Sequence, residues 1–204
     1  MTESFVREYR PEDVPALISL WHRVFSDPEA LAARFLELLP EMGSGVVAEL
    51  EGRVAGAAYI VDALELVQPD GSAQRCAYLY AVAVEENCRG LGLGAAVTEA
   101  AATLAKARGA AFLCTLPADR GLYAFYEKHL GVRCALRRDK RSLWSRPGPT
   151  LQPLDAAEYL HRREELLRDR CHQRLSPAAM DFEQSNCELS GGGLFAVGGG
   201  IAAA

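Results

Sequence analysis

Tyr78-Leu-Tyr-Ala-Val-Ala-Val-Glu-Glu-Asn-Cys-Arg-Gly-Leu-Gly-Leu-Gly94 joins an apolar run of strand character to a glycine-rich loop, and a helix follows at once. Gly90, Gly92 and Gly94 alternate, so no side chain stands between the backbone N–H groups and whatever approaches them. At a helix start those N–H groups lie at the positive end of the helix dipole, forming an anion site suited to a pyrophosphate. Gly90, Gly92 and Ala95 also fit the dinucleotide pattern Gly-x-Gly-x-x-Gly/Ala. That pattern needs a carboxylate about 20 positions on, at the end of the next strand, to hold a ribose. The corresponding segment, Ala110-Ala-Phe-Leu-Cys-Thr-Leu116, has none before Asp119. A glycine-rich turn with no ligand is the remaining alternative.

Upstream of this stretch, Phe5 to Tyr9 reads as a first strand, and a helix begins at Asp13 with Val14, Leu17, Ile18, Trp21, Val24 and Phe25 on one face. Asp27-Pro28 is an N-cap followed by a first-turn proline, opening a second helix that stops before Pro40. Val46 to Leu50 and Arg53 to Val61 make a hairpin around Gly52, and Gln68-Pro-Asp-Gly71 turns the chain into a long strand from Arg75 to Val84. Downstream, a helix spans Leu93 to Arg108, with Gly109 as its C-terminal cap. Ala111 to Leu116 reads as a buried strand, Leu122 to His129 as a helix, and Val132 to Trp144 as the last strands.

The chain has 204 residues, 50% of them hydrophobic and 24% charged, as suits a globular domain with something added. No apolar run spans a bilayer, and the amino terminus lacks a basic segment followed by an apolar one, so no membrane association is expected. Cysteines 76, 88, 114, 134, 171 and 187 are dispersed, as are the four histidines, which gives no metal signal and favours a reducing, cytoplasmic setting. The net charge of −5 disfavours nucleic acid and is compatible with a cationic amine substrate.

The order Arg-x-x-Gly-x-Gly after a Val-x-Val strand resembles the acetyl-CoA signature of the GCN5-related N-acetyltransferase (GNAT) family. A second segment, Leu122-Tyr-Ala-Phe-Tyr-Glu-Lys-His-Leu-Gly-Val132, is similar to that family's A-x-x-F-Y-E-K-x-G-F motif, and the element order over residues 4 to 146 is similar too. The resemblance implies an α/β (α+β) fold: a mixed, mostly antiparallel twisted sheet flanked by helices, its two central strands splayed. It implies a transferase that takes acetyl-CoA as cosubstrate and an amine as acceptor. The backbone of Arg89, Gly90, Leu91, Gly92, Leu93 and Gly94 would hold the pyrophosphate. Val82, Ala83 and Val84 would pair with the pantetheine arm, with an N–H near Val82 facing the thioester oxygen. Tyr126 would be the general acid that protonates the leaving thiolate, with Tyr123, one helical turn earlier, its nearest competitor. No general base is visible: Glu85 and Glu86 read as solvated, and His22 and Trp21, near the acceptor pocket of many relatives, read as structural. Arg133, Arg137, Arg138, Lys140 and Arg141 read as a solvated strand edge.

Beyond Pro149 the pattern begins again. Gln152-Pro-Leu-Asp155 matches Arg10-Pro-Glu-Asp13, Ser176-Pro177 repeats Asp27-Pro28, and residues 193–204 mimic the first hairpin. Residues 1–148 are therefore read as the GNAT domain and 149–204 as an incomplete second GNAT-like lobe of helix, helix and hairpin. The alternative is a C-terminal helix with a glycine tail. Such a lobe cannot bury its apolar faces alone, and should dock on the first domain or pair with another subunit in a homodimer. The leading function is transfer of an acetyl group to a small-molecule primary amine by direct attack in a ternary complex. A non-catalytic acyl-CoA-binding or sensing module and a protein amine acetyltransferase stay open as alternatives.

Overall fold

The computed structural model describes residues 4–133 and 150–203. Strand β1 (Ser4–Glu8) leads through a tight helical turn at Pro11–Asp13 into helices α1 (Val14–Phe25) and α2 (Glu29–Met42). An antiparallel meander of β2 (Gly43–Leu50), β3 (Arg53–Val67) and β4 (Ala73–Val84) follows. Helix α3 (Leu93–Ala107) then returns the chain to β5 (Phe112–Cys114), parallel to β4, and α4 (Gly121–Leu130) comes next. The C-terminal segment adds β6 (Gln152–Leu154), α5 (Ala156–Leu167), β7 (His172–Leu175), α6 (Pro177–Leu189), β8 (Leu194–Val197) and β9 (Gly200–Ala203).

Strands β1 to β5 lie side by side in sequence order, mostly antiparallel, as the implied fold requires. The long strand β3 is apolar throughout its middle because it is covered on both faces. Ala57, Tyr59 and Val61 join the core made with α1 and α2, while Ala58 and Ile60 join the core made with α3 and α4. That alternation is the period of two expected of a strand. Two clamps hold the edges. The Arg7 guanidinium grips Asp13 with both Nη atoms at 2.7 and 2.8 Å and reaches Glu49 through Nε at 2.7 Å, tying β1 and the tight turn to β2. Arg108, at the end of α3, pairs with the buried Asp62 of β3.

Several local expectations are corrected. Helix α2 continues past Pro40 to Met42: the proline removes one helical hydrogen bond, but Leu38, Leu39 and Met42 are buried and keep the last turn docked. Gly43 then lets the chain run against β3, where a Cβ would lie 1.8 Å from the Ile60 carbonyl oxygen. Asp27 does not cap α2, because its carboxylate accepts the Trp21 Nε1–H at 2.9 Å. Phe25 is 37% exposed, its ring edge-on to Trp21 at 5.7 Å, whereas Leu20 is buried in the core. Strand β5 is three residues long, with Phe112 and Leu116 exposed, since β4 is its only strand neighbour among the described residues. The strands expected between Val132 and Trp144, and Arg137, Arg138, Lys140 and Arg141, lie outside the described residues from 134 onward.

The C-terminal segment docks on the first domain. β7, which the sequence did not announce, pairs antiparallel with Leu64–Val67 of β3, beyond Val61, where pairing with β2 ends. Ala178, Ala179 and Phe182 of α6 belong to the same core as α1 and α2, the Phe182 ring lying 5.1 Å from Phe35 and 6.1 Å from Tyr80. The first helix of this segment ends at Leu167, and Asp155 caps it by accepting the Glu158 N–H at 2.8 Å. Ser176 caps α6 through the Ala179 N–H at 3.2 Å. Strands β6, β8 and β9 form a small sheet in the order of β1, β2 and β3, and α1 and α5 fall 142 positions apart at both ends.

Because Phe182 is part of one continuous core, Phe182→Ala should lower stability of the whole chain by about 3–5 kcal/mol. Chemical denaturation should keep one transition at a lower midpoint. A second, separately melting transition would show that the C-terminal segment folds independently.

Candidate functional site

The site begins where two neighbouring strands part. β4 and β5 are paired at Cys76–Phe112, Ala77–Leu113 and Tyr78–Cys114, and no pair follows. Thr115 Oγ1 still donates to the Leu79 carbonyl at 3.1 Å, and beyond it the strands have separated. On its other edge β4 carries a bulge. Ala57 pairs with Ala83 and Tyr59 with Tyr80, so Ala58 alone opposes both Ala81 and Val82. Ala81 sits at φ 47, a left-handed conformation that costs a non-glycine residue about 1–3 kcal/mol and persists only where packing imposes it. Buried Ala83 and the ring of Tyr80, 5.2 Å from Phe35, supply that packing.

The glycine loop lies at the end of β4. Gly90 and Gly92 take φ of 83 and 82, and a Cβ at either would meet nothing within 4 Å. Gly92 is the N-cap of α3, and Ala96 N–H is the first to close a helical bond, onto the Gly92 carbonyl at 3.0 Å. Among the described residues the N–H groups of Gly90 to Ala95 make no hydrogen bond, whereas that of Arg89 turns back to the Glu86 carbonyl at 3.3 Å. The available donors therefore start at Gly90. The Arg89 side chain is exposed beside them. Gly94 packs against the end of β4, with Val84 3.7 Å from where a Cβ would be.

Tyr126 lies on the buried face of α4, beside the Phe125 ring at 5.2 Å. Burial raises its phenol above the usual tyrosine range, and a side-chain hydrogen bond with Thr115 offsets part of the rise. Thr115, which donates to Leu79, thus stands near Tyr126 at the point of separation. Tyr123 is half-buried one turn earlier.

Inward from the parted strands runs a cavity of about 800 Å³, within the range of small-molecule sites. Its walls include Phe35, Tyr78 and Tyr80, residues 113 to 117, Tyr123 and Tyr126, and, from the C-terminal segment, Gln173, Leu175, Ala179, Phe182 and Glu183. Val82, Ala83, Val84 and the glycine loop stand outside it. Two thiols that the sequence leaves far apart face each other: Cys76 and Cys114 Sγ are 3.9 Å apart, and Gln173 Nε2 donates to both.

The other candidates are accounted for locally. Trp21 is buried in the aromatic core and His22 is exposed with Nδ1 at 2.7 Å from the Asp27 carbonyl. Glu85 is held by Arg23, and Glu86 is exposed. Glu183, Phe182 and Thr115 were not singled out by sequence reasoning, for no motif or periodicity marks them. Among the described residues no group of three or more metal-ligating side chains occurs, and no helix is long and apolar enough to cross a membrane.

Comparison with known proteins adds to this geometry. An acetyltransferase from Trypanosoma brucei matches 69% of this chain over 100% of its own length, with 20% identity and a TM-score of 0.55. A GNAT family N-acetyltransferase from Escherichia coli, solved in complex with CoA, matches 62% of this chain over 68% of its own, with 24% identity and a TM-score of 0.53. Glucosamine-6-phosphate N-acetyltransferase from Arabidopsis thaliana matches 68% over 98%, with 19% identity and a TM-score of 0.54. At these identities the likeness concerns the fold. No curated protein gives a significant sequence match. Residues 4–132, more than half of the chain, match the acetyltransferase (GNAT) family, and the protein belongs to that family of acetyltransferases.

Proposed function

We propose that this chain is an acetyl-CoA-dependent N-acetyltransferase that moves the acetyl group to a primary amine of a small molecule by direct attack in a ternary complex. The observation that carries this reading is the sequence of features along one path: unbonded N–H groups at Gly90 to Ala95, then the bulged and parted strand at Ala81–Val82, then Tyr126 beside the gap.

The N–H groups of Gly90 to Gly94 would take the pyrophosphate at the positive end of α3, and Arg89 would add charge from the side. Val82, Ala83 and Val84 would offer backbone groups to the pantetheine arm, as an added strand does. An N–H released near Val82 by the bulge would face the thioester oxygen, a donor of a kind typically worth about 3 kcal/mol. Tyr126 would protonate the leaving thiolate. Its raised pKa has two opposed effects: the phenol stays loaded with its proton into alkaline solution, and it becomes a weaker acid toward a thiolate of pKa about 8.5. The first effect wins if the amine nitrogen sheds a proton as the thiolate gains one. The same reading takes residues 1–148 as the transferase domain and 149–204 as an incomplete second lobe of the same kind, supported by the matching order of β6, β8 and β9 with β1, β2 and β3.

Gly92→Val puts a β-branched side chain at φ 82 in the space the pyrophosphate needs. Acetyl-CoA affinity should fall at least about 100-fold, while the exposed loop limits the loss of stability to about 1–3 kcal/mol. Unchanged affinity in a folded Gly92→Val protein, read by calorimetry, would remove the site from this loop.

Tyr126→Phe deletes only the hydroxyl. Acetyl-CoA affinity should persist while kcat for amine acetylation drops at least about tenfold. Thiol release at wild-type rate in Tyr126→Phe but not in Tyr123→Phe would transfer the role to Tyr123. Acetyl-CoA binding without thiol release for any amine would identify a sensing module instead.

A further inference from the structure

Helix α6 closes one side of the cavity, and it brings a carboxylate into a wall that is otherwise mostly aromatic and aliphatic. We propose that this cavity is the acceptor site and that Glu183 receives the substrate's ammonium group, selecting primary amines carried on an aromatic or aliphatic body. The inference rests on the acetyl-transfer reading above.

Three observations carry it. First, Tyr126 and Glu183 line the same cavity from opposite parts of the chain, α4 and α6, so a molecule within it is bounded by both. Second, Glu183 is open to solvent, yet makes no hydrogen bond or ion pair among the described residues. The protein around it pushes its carboxyl pKa up, a penalty that an incoming cation would relieve. Its surroundings are phenols: Tyr78 and Tyr80 of β4 and Tyr159 of α5 are raised chiefly by burial, and the nearby Glu183 charge adds to the rise. The other charged groups on the cavity wall are Glu127 and Arg133, both exposed. Third, the rings of Phe35, Tyr80 and Phe182 lie 5.1 to 6.1 Å apart in tilted and edge-on contacts in the same wall, an apolar surface in which the partly exposed Tyr80 ring can attract an ammonium. With Arg133 as its one basic side chain among the described residues, the wall disfavours an amine that also bears phosphate or carboxylate.

The proton balance follows. Glu183 carboxylate takes one proton from the ammonium, and the freed nitrogen lone pair forms the C–N bond to the thioester carbonyl carbon. The C–S bond breaks and its electron pair leaves on sulfur, which takes the Tyr126 proton. The second proton shed by nitrogen restores the phenol through water, and Glu183 returns its proton to solvent. Ammonium and acetyl thioester thus give amide, thiol and one released proton.

The test compares wild type, Glu183→Gln and Glu127→Gln, each checked for an unchanged melting temperature. CoA binding, binding of 2-phenylethylamine to the CoA-saturated protein, and acetylation of 2-phenylethylamine and of glucosamine 6-phosphate are measured from about pH 7 to about pH 10. Glu183→Gln should bind CoA as wild type does, bind the amine at least about tenfold more weakly, and lose about 100-fold in kcat/KM near neutral pH. That deficit should shrink toward pH 10, where the amine loses its proton to solvent unaided. Loss in Glu127→Gln with none in Glu183→Gln would overturn the assignment, and preference for the phosphate-bearing amine would overturn the substrate class. Normal CoA binding with amine binding and turnover indifferent to Glu183 would overturn this site and leave the acyl-CoA reading standing. Absence of CoA binding in wild type would remove that reading and this one together.

Discussion

Everything else in the molecule is arranged around the failure of β4 and β5 to stay paired. Two parallel strands that separate after Tyr78 and Cys114 leave backbone donors and acceptors without strand partners where continued pairing would have satisfied them. The separation persists because both strands are anchored on either side of it. Thr115 holds the last contact to Leu79, while the bulge at Ala81–Val82 marks where the other edge of β4 meets β3. A gap made of backbone, held open by side-chain packing, is a rigid feature. Rigid backbone dipoles are what a site needs in order to stabilise developing charge without reorganising.

The aromatic core is the reason the gap holds its shape. Trp21, Phe35, Tyr59 and Tyr80 pack with ring centroids between 5.1 and 5.8 Å, and Phe182 joins them from the C-terminal segment. The segment after residue 149 is thus part of the same core as α1 and α2, and β7 extends the sheet on the far side of β3. That docking covers the apolar face of α6 and pairs β7 with β3. It also leaves a cavity lined by residues far apart in sequence, Tyr126 and Glu183 among them.

The electrostatic clamps serve the same end by different means. Arg7 with Asp13 and Glu49, and Arg108 with Asp62, are partly buried guanidinium–carboxylate pairs, which hold their partners more strongly than exposed pairs do. Arg7 keeps the Asp13 carboxyl below the usual carboxylate range. Its stabilising contribution is therefore present above the ordinary carboxylate pKa of about 4 and fades as pH falls through the lower folded value. These clamps fix the first strand and the end of α3, and with α3 the direction from which the glycine loop presents its N–H groups.

The order of elements from β1 to α4, the glycine loop, the helix cap at Ser176 and the buried face of α4 with Tyr126 were all legible in the amino-acid sequence. Each follows from chemistry between residues a few positions apart: alternation, helical spacing, glycine's access to positive φ, a side chain that accepts from an N–H three residues on. The extension of α2 past Pro40, the redirection of Asp27 to Trp21, the bulge at Ala81, the pairing of β7 with β3 and the meeting of Cys76 with Cys114 were not legible. In every one of them a contact between distant segments outweighs a local preference. Glu183 is the plainest case. Nothing near it in the chain distinguishes it from any other helix glutamate, and only the docking of α6 over the parted strands puts its carboxylate into a cavity shared with Tyr126. Local physics determined the parts and their order; packing between distant apolar faces decided which side chains meet.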